Sequence, residues 1–232
     1  MPNFLLIETA TGVCSIAVSH SGKIAALRES FESRSHASNI TVFADEVLKE
    51  SGIEFSSLDA VVVSAGPGSY TGLRIGVAAA KGFCFALNIP LIAISTLEEM
   101  TYAASLMIPK EEAENKILFC PMIDARRMEV YCGLFDINLK PITDAKPEIL
   151  TTESFKEYFD KDYHIYFFGD GSNKFKPLME NQSNSRFIEV RPSAINLLNS
   201  GEKKFRLKEF VSLSAFEPEY MKGFVFTESK HH

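Results

Sequence analysis

The sequence predicts an α/β protein of two lobes, each built on a mixed β-sheet with helices packed on it. Three features of the chain point there. Its first three strand-like runs follow one another as a meander before any helix begins. The next strand, Ala60–Ser64, feeds a glycine-rich turn and then a helix, as parallel crossovers do. A second series of strand-like runs opens at Ile117, so the pattern begins twice and hints at a duplicated fold.

In order, Phe4–Ile7 reads as the first strand, with Cys14–Ser19 and Lys23–Arg28 as the next two. His20-Ser21-Gly22 between the latter pair suits a hairpin turn. A helix runs from Ser38 to Ser51, and Gly52 ends it at the C′ position. Ala60–Ser64 is a buried strand, Gly72–Leu87 a helix that Asn88-Ile-Pro90 breaks, and Leu91–Ile94 another strand. The second half opens on a helical stretch, Thr96–Leu106, and a charged connector, Pro109–Lys116. Strand-like runs follow at Ile117–Ile123, Glu129–Phe135 and His164–Phe168. Helices are expected at Ser154–Asp160 and at Ser193–Ser200, the latter with Ser193 as N-cap. From Ser214 the chain reads as irregular. These bounds set a first lobe at 1–97, a reduced second lobe at 98–213 and a tail at 214–232.

With 232 residues, 46% of them hydrophobic, the chain is large enough to bury a full core. Its net charge of −6 leaves no general basic surface for a nucleic-acid backbone. Any role with RNA therefore needs a local patch or a partner that carries the positive charge. No apolar run reaches the roughly 18 residues of a membrane span, and the N-terminus lacks the layout of a signal peptide. A cytoplasmic protein is expected. Cys14, Cys84, Cys120 and Cys132 are scattered among apolar neighbours, as buried reduced cysteines are, and are not spaced like zinc ligands. His20, His36 and His164 stand alone, and His231-His232 close the chain as a tag remnant would.

A strand, a glycine-rich turn and a helix N-terminus form a common phosphate cradle, because free N–H groups and the helix dipole point at the anion. In Gly66-Pro-Gly-Ser-Tyr-Thr-Gly-Leu-Arg-Ile-Gly76 the specific nucleotide motifs fail. A P-loop counted from Gly66 places its second glycine on Thr71, and Gly72 is followed by Leu73-Arg74 with no lysine. The dinucleotide pattern also places its third glycine on Thr71. Ser69 directly follows Gly68, so there is no nucleophile elbow. A tight strand-to-helix turn is the plainer reading, with Pro67 fixing φ and glycine permitting positive φ. Gly66, Gly68, Ser69 and Thr71 stay as candidates for holding an anion.

On the first helix, Ile40, Phe43, Ala44, Val47 and Leu48 share one arc, and Val42 points out among polar residues. The second helix is apolar nearly all round, with Gly72, Gly76, Ala79 and Phe83 on one stripe and Ala78 and Phe85 near Arg74 and Lys81. Such a helix is either a central core helix or one covered by another chain. In Asp124-Ala-Arg-Arg-Met-Glu-Val-Tyr131, the residues Asp124, Arg126 and Glu129 read as structural, a carboxylate and guanidinium pinning a hairpin; substrate binding is the alternative. Gly169-Asp-Gly-Ser172 likewise reads as a turn, with anion binding as its alternative.

These residues carry a family resemblance. Gly66–Gly76 closely resembles the G-P-G-S-F-T-G-L-R-I-G signature of the TsaB (YeaZ) family. Leu6-Ile-Glu-Thr-Ala-Thr11 resembles the family's opening I-D-T-A/S-T, and His36 stands where the family has His-Ser-Glu. Asp124-Ala-Arg126 with Glu129-Val-Tyr131 resembles its D-A-R and E-V-Y, while Gly169-Asp-Gly171 and Pro218-Glu-Tyr220 fit in order. The match is strong over 4–135 and looser to about 222.

The resemblance implies an actin/Hsp70-like (ribonuclease H-like) fold of two α/β lobes. It implies a non-catalytic subunit of the bacterial machinery that makes threonylcarbamoyladenosine in tRNA, supporting the transferase TsaD together with the ATPase TsaE. The family's contact surface is the pair of first-lobe helices. Carried onto this chain, it comprises His36, Ile40, Val42, Phe43, Val47, Leu73, Gly76, Ala79, Ala80 and Phe83. The same surface pairs two copies when TsaD is absent, and tRNA is met only through the complex. No cofactor and no metal are expected: TsaD has His-x-x-x-His on its first helix, whereas Ile40 follows His36 at that spacing. Relatives that use ATP carry Asp-x-Gly after the first strand, where this chain has Glu8-Thr-Ala-Thr-Gly12. The alternatives are a metallopeptidase of the glycoprotease kind, which needs a metal, and a nucleotide-binding regulator.

Overall fold

Phe4–Glu8 (β1) is the spine of the first sheet, because all five of its residues are buried and it has a neighbour on each side. The computed structural model describes residues 1–31, 36–108 and 116–221, with side chains in the first helix from residue 38 onward. Cys14–His20 (β2) and Lys23–Ser30 (β3) add antiparallel on one side of β1, across a Ser21–Gly22 turn whose residues both have positive φ. Ala60–Ser64 (β4) and Leu91–Ile94 (β5) add parallel on the other, giving the order β3-β2-β1-β4-β5. Leu6 thus sits between Ala17 and Val62.

Helices His36–Ser51 (α1) and Tyr70–Leu87 (α2) cover one face of this sheet. Ile40, Ala44, Val47 and Leu48 of α1 join Val77, Ala80 and Cys84 of α2 over Ile7, Ile16, Val61 and Val63. Ser69 caps α2 by accepting from the Gly72 N–H, and Asn88 ends it in the left-handed region.

The second sheet repeats the plan. Ile117–Asp124 (β6) is its spine; Glu129–Cys132 (β7) and Lys146–Ile149 (β9) lie antiparallel on one side, His164–Phe168 (β10) and Ser185–Phe187 (β11) parallel on the other. Phe135–Asp136 (β8) pairs separately with Leu118 and Phe119. The duplication hinted at by the sequence is therefore present in strand order and direction.

Each half sends its last helix to the other sheet. Thr96–Ser105 (α3) packs Leu97, Met100 and Ala104 on Phe119, Tyr166 and Phe168 of the second sheet. Ala194 and the helix Leu197–Leu207 (α5) cover the remaining face of the first sheet over Phe4, Ala17, Val62 and Ile94. The expected second lobe at 98–213 is corrected on this point, because residues from 194 onward belong to the first lobe's core. Val211 then bridges to Leu91, and the tail runs beside α2 and the glycine turn.

Smaller differences have local causes. The run Glu129–Phe135 splits at Gly133-Leu134, because β7 and β8 pair with different stretches of β6. The helix expected at 154–160 shortens to Lys156–Phe159 (α4). Ser193 does not cap the last helix; its hydroxyl donates to Glu29 at 2.7 Å, and a 3₁₀ turn, Ala194–Asn196, precedes α5. Most of the charged connector 109–116 lies outside the described residues. All four cysteines are free and buried, and burial pushes the Cys14 and Cys84 thiols up to about 11. Among the described residues no helix is long and apolar enough to cross a membrane.

Candidate functional site on the first-lobe helices

The glycine turn is a packing device. Gly66 has φ of +109°, which favours glycine, and its peptide bond to Pro67 is cis. A Cβ on Gly68 would collide with the Ala10 carbonyl, one on Gly72 with the Thr9 carbonyl, and one on Gly76 with the Thr9 hydroxyl. These glycines let α2 press against the chain leaving β1. The polar groups of the turn are used inside the protein: the Ser69 N–H donates to the Ala10 carbonyl at 2.6 Å, and Ser69 Oγ accepts from the Gly72 N–H at 3.3 Å. Of the candidates for holding an anion, Gly66, Gly68, Ser69 and Thr71, Ser69 has its N–H and hydroxyl engaged in these bonds, while Ser69 and Thr71 are themselves exposed.

The outward face of α2 is a different set of residues. Thr71, Arg74, Ala78, Gly82 and Phe85 form an exposed stripe at helical spacing, and Phe85 is 84% exposed. Val42, 51% exposed, adds an apolar side chain from the outward side of α1. Of the residues assigned to the contact surface by resemblance, Ile40, Val47, Leu73, Gly76 and Ala80 are buried in this chain's own core and cannot meet a partner without opening it. Phe43, Ala79 and Phe83 are half-buried against that core, with the Phe83 ring 5.9 Å from Phe55. Val42 alone of the set with described side chains is fully outward. His36 opens α1, and its side chain lies outside the described residues.

The tail extends this surface. The Tyr220 ring packs tilted by 41° against Tyr70 with ring centres 4.7 Å apart, and the Arg74 guanidinium lies 5.2 Å above the Tyr70 ring. The Glu219 N–H donates to the Ala65 carbonyl at 2.7 Å, and Lys81 Nζ donates to the Phe216 carbonyl at 2.5 Å. Pro218-Glu-Tyr220 is thus a strap across the start of α2.

In the second lobe Asp124 does pin its hairpin, with another partner than Arg126's guanidinium. Lys174 Nζ donates to Asp124 Oδ1 at 2.9 Å and to the carbonyls of Arg127 and Glu129 at 2.8 and 2.5 Å. The Arg126 and Arg127 side chains are exposed, and both residues hold positive φ at the turn. Partial burial pushes the Asp124 carboxyl up, yet Lys174 and the Arg126 N–H together hold it below its ordinary value. Gly169–Ser172 is a turn, closed by Ser172 Oγ donating to the Gly169 carbonyl at 2.7 Å.

A cleft of about 650 Å³ separates the lobes, with Thr11, Gly12 and Val13 on one wall and Asp170, Lys176 and Arg191 on the other. Glu8, the last residue of β1, does not serve it. Glu8 is wholly buried, with Oε1 accepting from the Ala10 N–H at 2.5 Å. Glu8 thus offers no carboxylate oxygen to the cleft, whose acidic lining residues are Asp170 and Glu189. Among the described residues no group of three or more His, Cys, Asp or Glu is placed to hold a metal ion.

Residues 30–214 match the family model described as TsaD: tRNA N6-adenosine threonylcarbamoyltransferase. The Haemophilus influenzae protein named tRNA threonylcarbamoyladenosine biosynthesis protein TsaB is 37% identical over 127 residues, 55% of this chain and 51% of its own length. The Bacillus subtilis protein of that name is 27% identical over 227 residues, covering 94% of this chain and 93% of its own. The chain belongs to the TsaB (YeaZ) family. Proteins of that name are assigned to tRNA threonylcarbamoyladenosine biosynthesis. The chain spans about half the length of the Haemophilus relative and nearly all of the Bacillus one.

The fold agrees with TsaB. YeaZ from Pseudomonas aeruginosa superposes with a TM-score of 0.74 at 24% identity, over 95% of this chain and all of that one. A Pseudomonas aeruginosa protein described as similar to peptidase YeaZ superposes at 0.77 with 23% identity, over 96% and 100%. An inorganic polyphosphate/ATP-glucomannokinase from Arthrobacter reaches 0.53 at 10% identity, over 89% and 100%, which places the two-lobed architecture in the actin-like class.

Proposed function

We propose that this chain is a non-catalytic subunit of the machinery that makes threonylcarbamoyladenosine in tRNA. In this reading it docks on a TsaD-type partner in the cytoplasm, with TsaE completing the assembly. One observation carries the proposal. The α2 helix is packed against its own sheet through Leu73, Val77, Ala80 and Cys84, yet still presents Ala78, Gly82 and Phe85 outward, and Val42 of α1 is exposed as well. Ala78 and Gly82 give a flat strip on which another helix can approach closely, and Phe85 supplies an anchor. In the absence of TsaD the same strip pairs two copies of the chain. With a net charge of −6, contact with tRNA falls to the partner.

The test is association by light scattering, using this chain and the TsaD subunit from the same source. The reading expects a one-to-one complex that forms at the expense of any homodimer. Two species that elute unchanged when mixed would remove it.

A further inference from the structure

The two segments that cross between the lobes meet at a pair of carboxyl groups that no other function uses. The chain passes from the first sheet to the second through α3, and returns through Ser193–Asn196 into α5. Glu99 of α3 and Glu8 at the end of β1 face each other where these crossings touch, and both are wholly buried. Glu8 Oε1 accepts from the Ala10 N–H, with the Ser64 hydroxyl alongside. Glu8 Oε2 and both Glu99 oxygens accept no hydrogen bond from a described residue. The Ser193 N–H and the Asn196 amide face Glu99 without closing a hydrogen bond to it.

No described Lys, Arg or His is bonded to either carboxyl. No cation is among the groups that shift either carboxyl. Cys14 faces Glu8 from β2, Glu29 of β3 is held by the Ser15 and Ser193 hydroxyls at 2.7 Å each, and Glu98 accepts from Ser200 Oγ at 2.6 Å. Lys204 on α5 donates instead to the Ala93 carbonyl. Two bare carboxylates in contact, away from water and cations, repel strongly; one proton between them turns the repulsion into a charge-assisted hydrogen bond.

We propose that Glu8 and Glu99 share one proton, and that this bond latches the two interlobe crossings together and opens when the proton is lost. Burial raises both carboxyls: Glu8 to about 7, although the Ala10 N–H, Ser64 and Glu99 pull it back, and Glu99 well above its ordinary value, with the Glu8 charge adding to the rise. Because the folded values lie above the ordinary ones, the stability the pair contributes is fully present in acid; Glu8 gives up the first proton as pH rises through about 7, and the latch opens when the shared proton left on Glu99, the more strongly raised of the two, is lost as pH rises further.

The test compares wild type with Glu99→Gln and Glu8→Gln, whose amides donate the same hydrogen bond at any pH. As pH is raised from about 6 to about 10 the wild-type melting temperature should fall by several degrees, while each single variant falls less and the double variant Glu8→Gln, Glu99→Gln stays flat. Over the same range, hydrogen exchange corrected for pH should speed up in α3 and at residues 194–196 in wild type only. Infrared spectra of wild type near neutral pH should show a buried protonated carboxyl band, which settles the matter even where a variant fails to fold. Absence of that band, or equal pH dependence in wild type and variants, overturns the latch. A wild-type stability that follows sodium or potassium at constant ionic strength, and not pH, overturns it in favour of a bound cation.

Discussion

The Thr9 hydroxyl donates to the Gly72 carbonyl at 2.9 Å, and a Cβ on Gly76 would run into that same hydroxyl. One side chain leaving β1 therefore touches the first and second turns of α2. The approach is close because Gly68, Gly72 and Gly76 have no side chains there. It holds α2 down on its own lobe at one side, so that the other side is left outward for a partner.

The inward and outward glycines of α2 should respond oppositely to alanine. In Gly72→Ala the new methyl meets the backbone carbonyl of Thr9, which cannot rotate away, so unfolding by urea should show a loss of about 2–3 kcal/mol. Gly76→Ala meets a hydroxyl that can turn aside at the expense of its bond to Gly72, and should lose about 1–2 kcal/mol. Gly82→Ala meets nothing within 4 Å and should gain about 0.5–1 kcal/mol from helix propensity. Equal losses at all three positions would contradict the assignment of faces.

Lys174→Met removes the ammonium that ties together Asp124, Arg127 and Glu129 and leaves polar groups behind, so a loss of about 1–3 kcal/mol is expected at neutral pH. The Asp124 carboxyl is held below its ordinary value, so its contribution is present above that value and fades as pH falls through the folded one. The gap between wild type and the variant should therefore narrow in acid. A gap that widened there would be inconsistent with the ion pair.

The strap formed by the tail contributes to the first lobe. Tyr220→Ala removes the ring that covers Tyr70 and should cost about 0.5–1.5 kcal/mol in thermal or urea unfolding. Ending the chain after Leu207 also removes the Val211, Phe216 and Glu219 backbone bonds and should cost more. A chain ending at 207 that unfolds at the wild-type midpoint would show the strap to be ornamental.

Strands β4, β5 and β10 were legible to the residue, because each is a short apolar run between turn-forming residues. Lys146–Ile149 and Ser185–Phe187 were not, since one contains Pro147 and is mostly exposed, and the other is three residues long. The helix pair was readable as a surface asking for cover, but its outward face was not. α2 is apolar nearly all round, so periodicity cannot distinguish Ala79 from Ala78 or Phe83 from Phe85; only the position of the sheet does. Lys174 and Glu99 were missed because their partners, Asp124 and Glu8, are distant in sequence and meet only through the fold.

The dissociation constant for the TsaD subunit reports whether Phe85 and its neighbours form the partner surface. Phe85→Ala should weaken binding by about 10- to 100-fold, the effect of losing roughly 1.5–3 kcal/mol of apolar burial, and Phe85→Glu should abolish it. The same substitution at Ile149, an exposed apolar residue of the second lobe, should leave binding unchanged. Wild-type affinity for folded Phe85→Glu, or loss of binding by Ile149→Glu instead, would place the partner surface elsewhere.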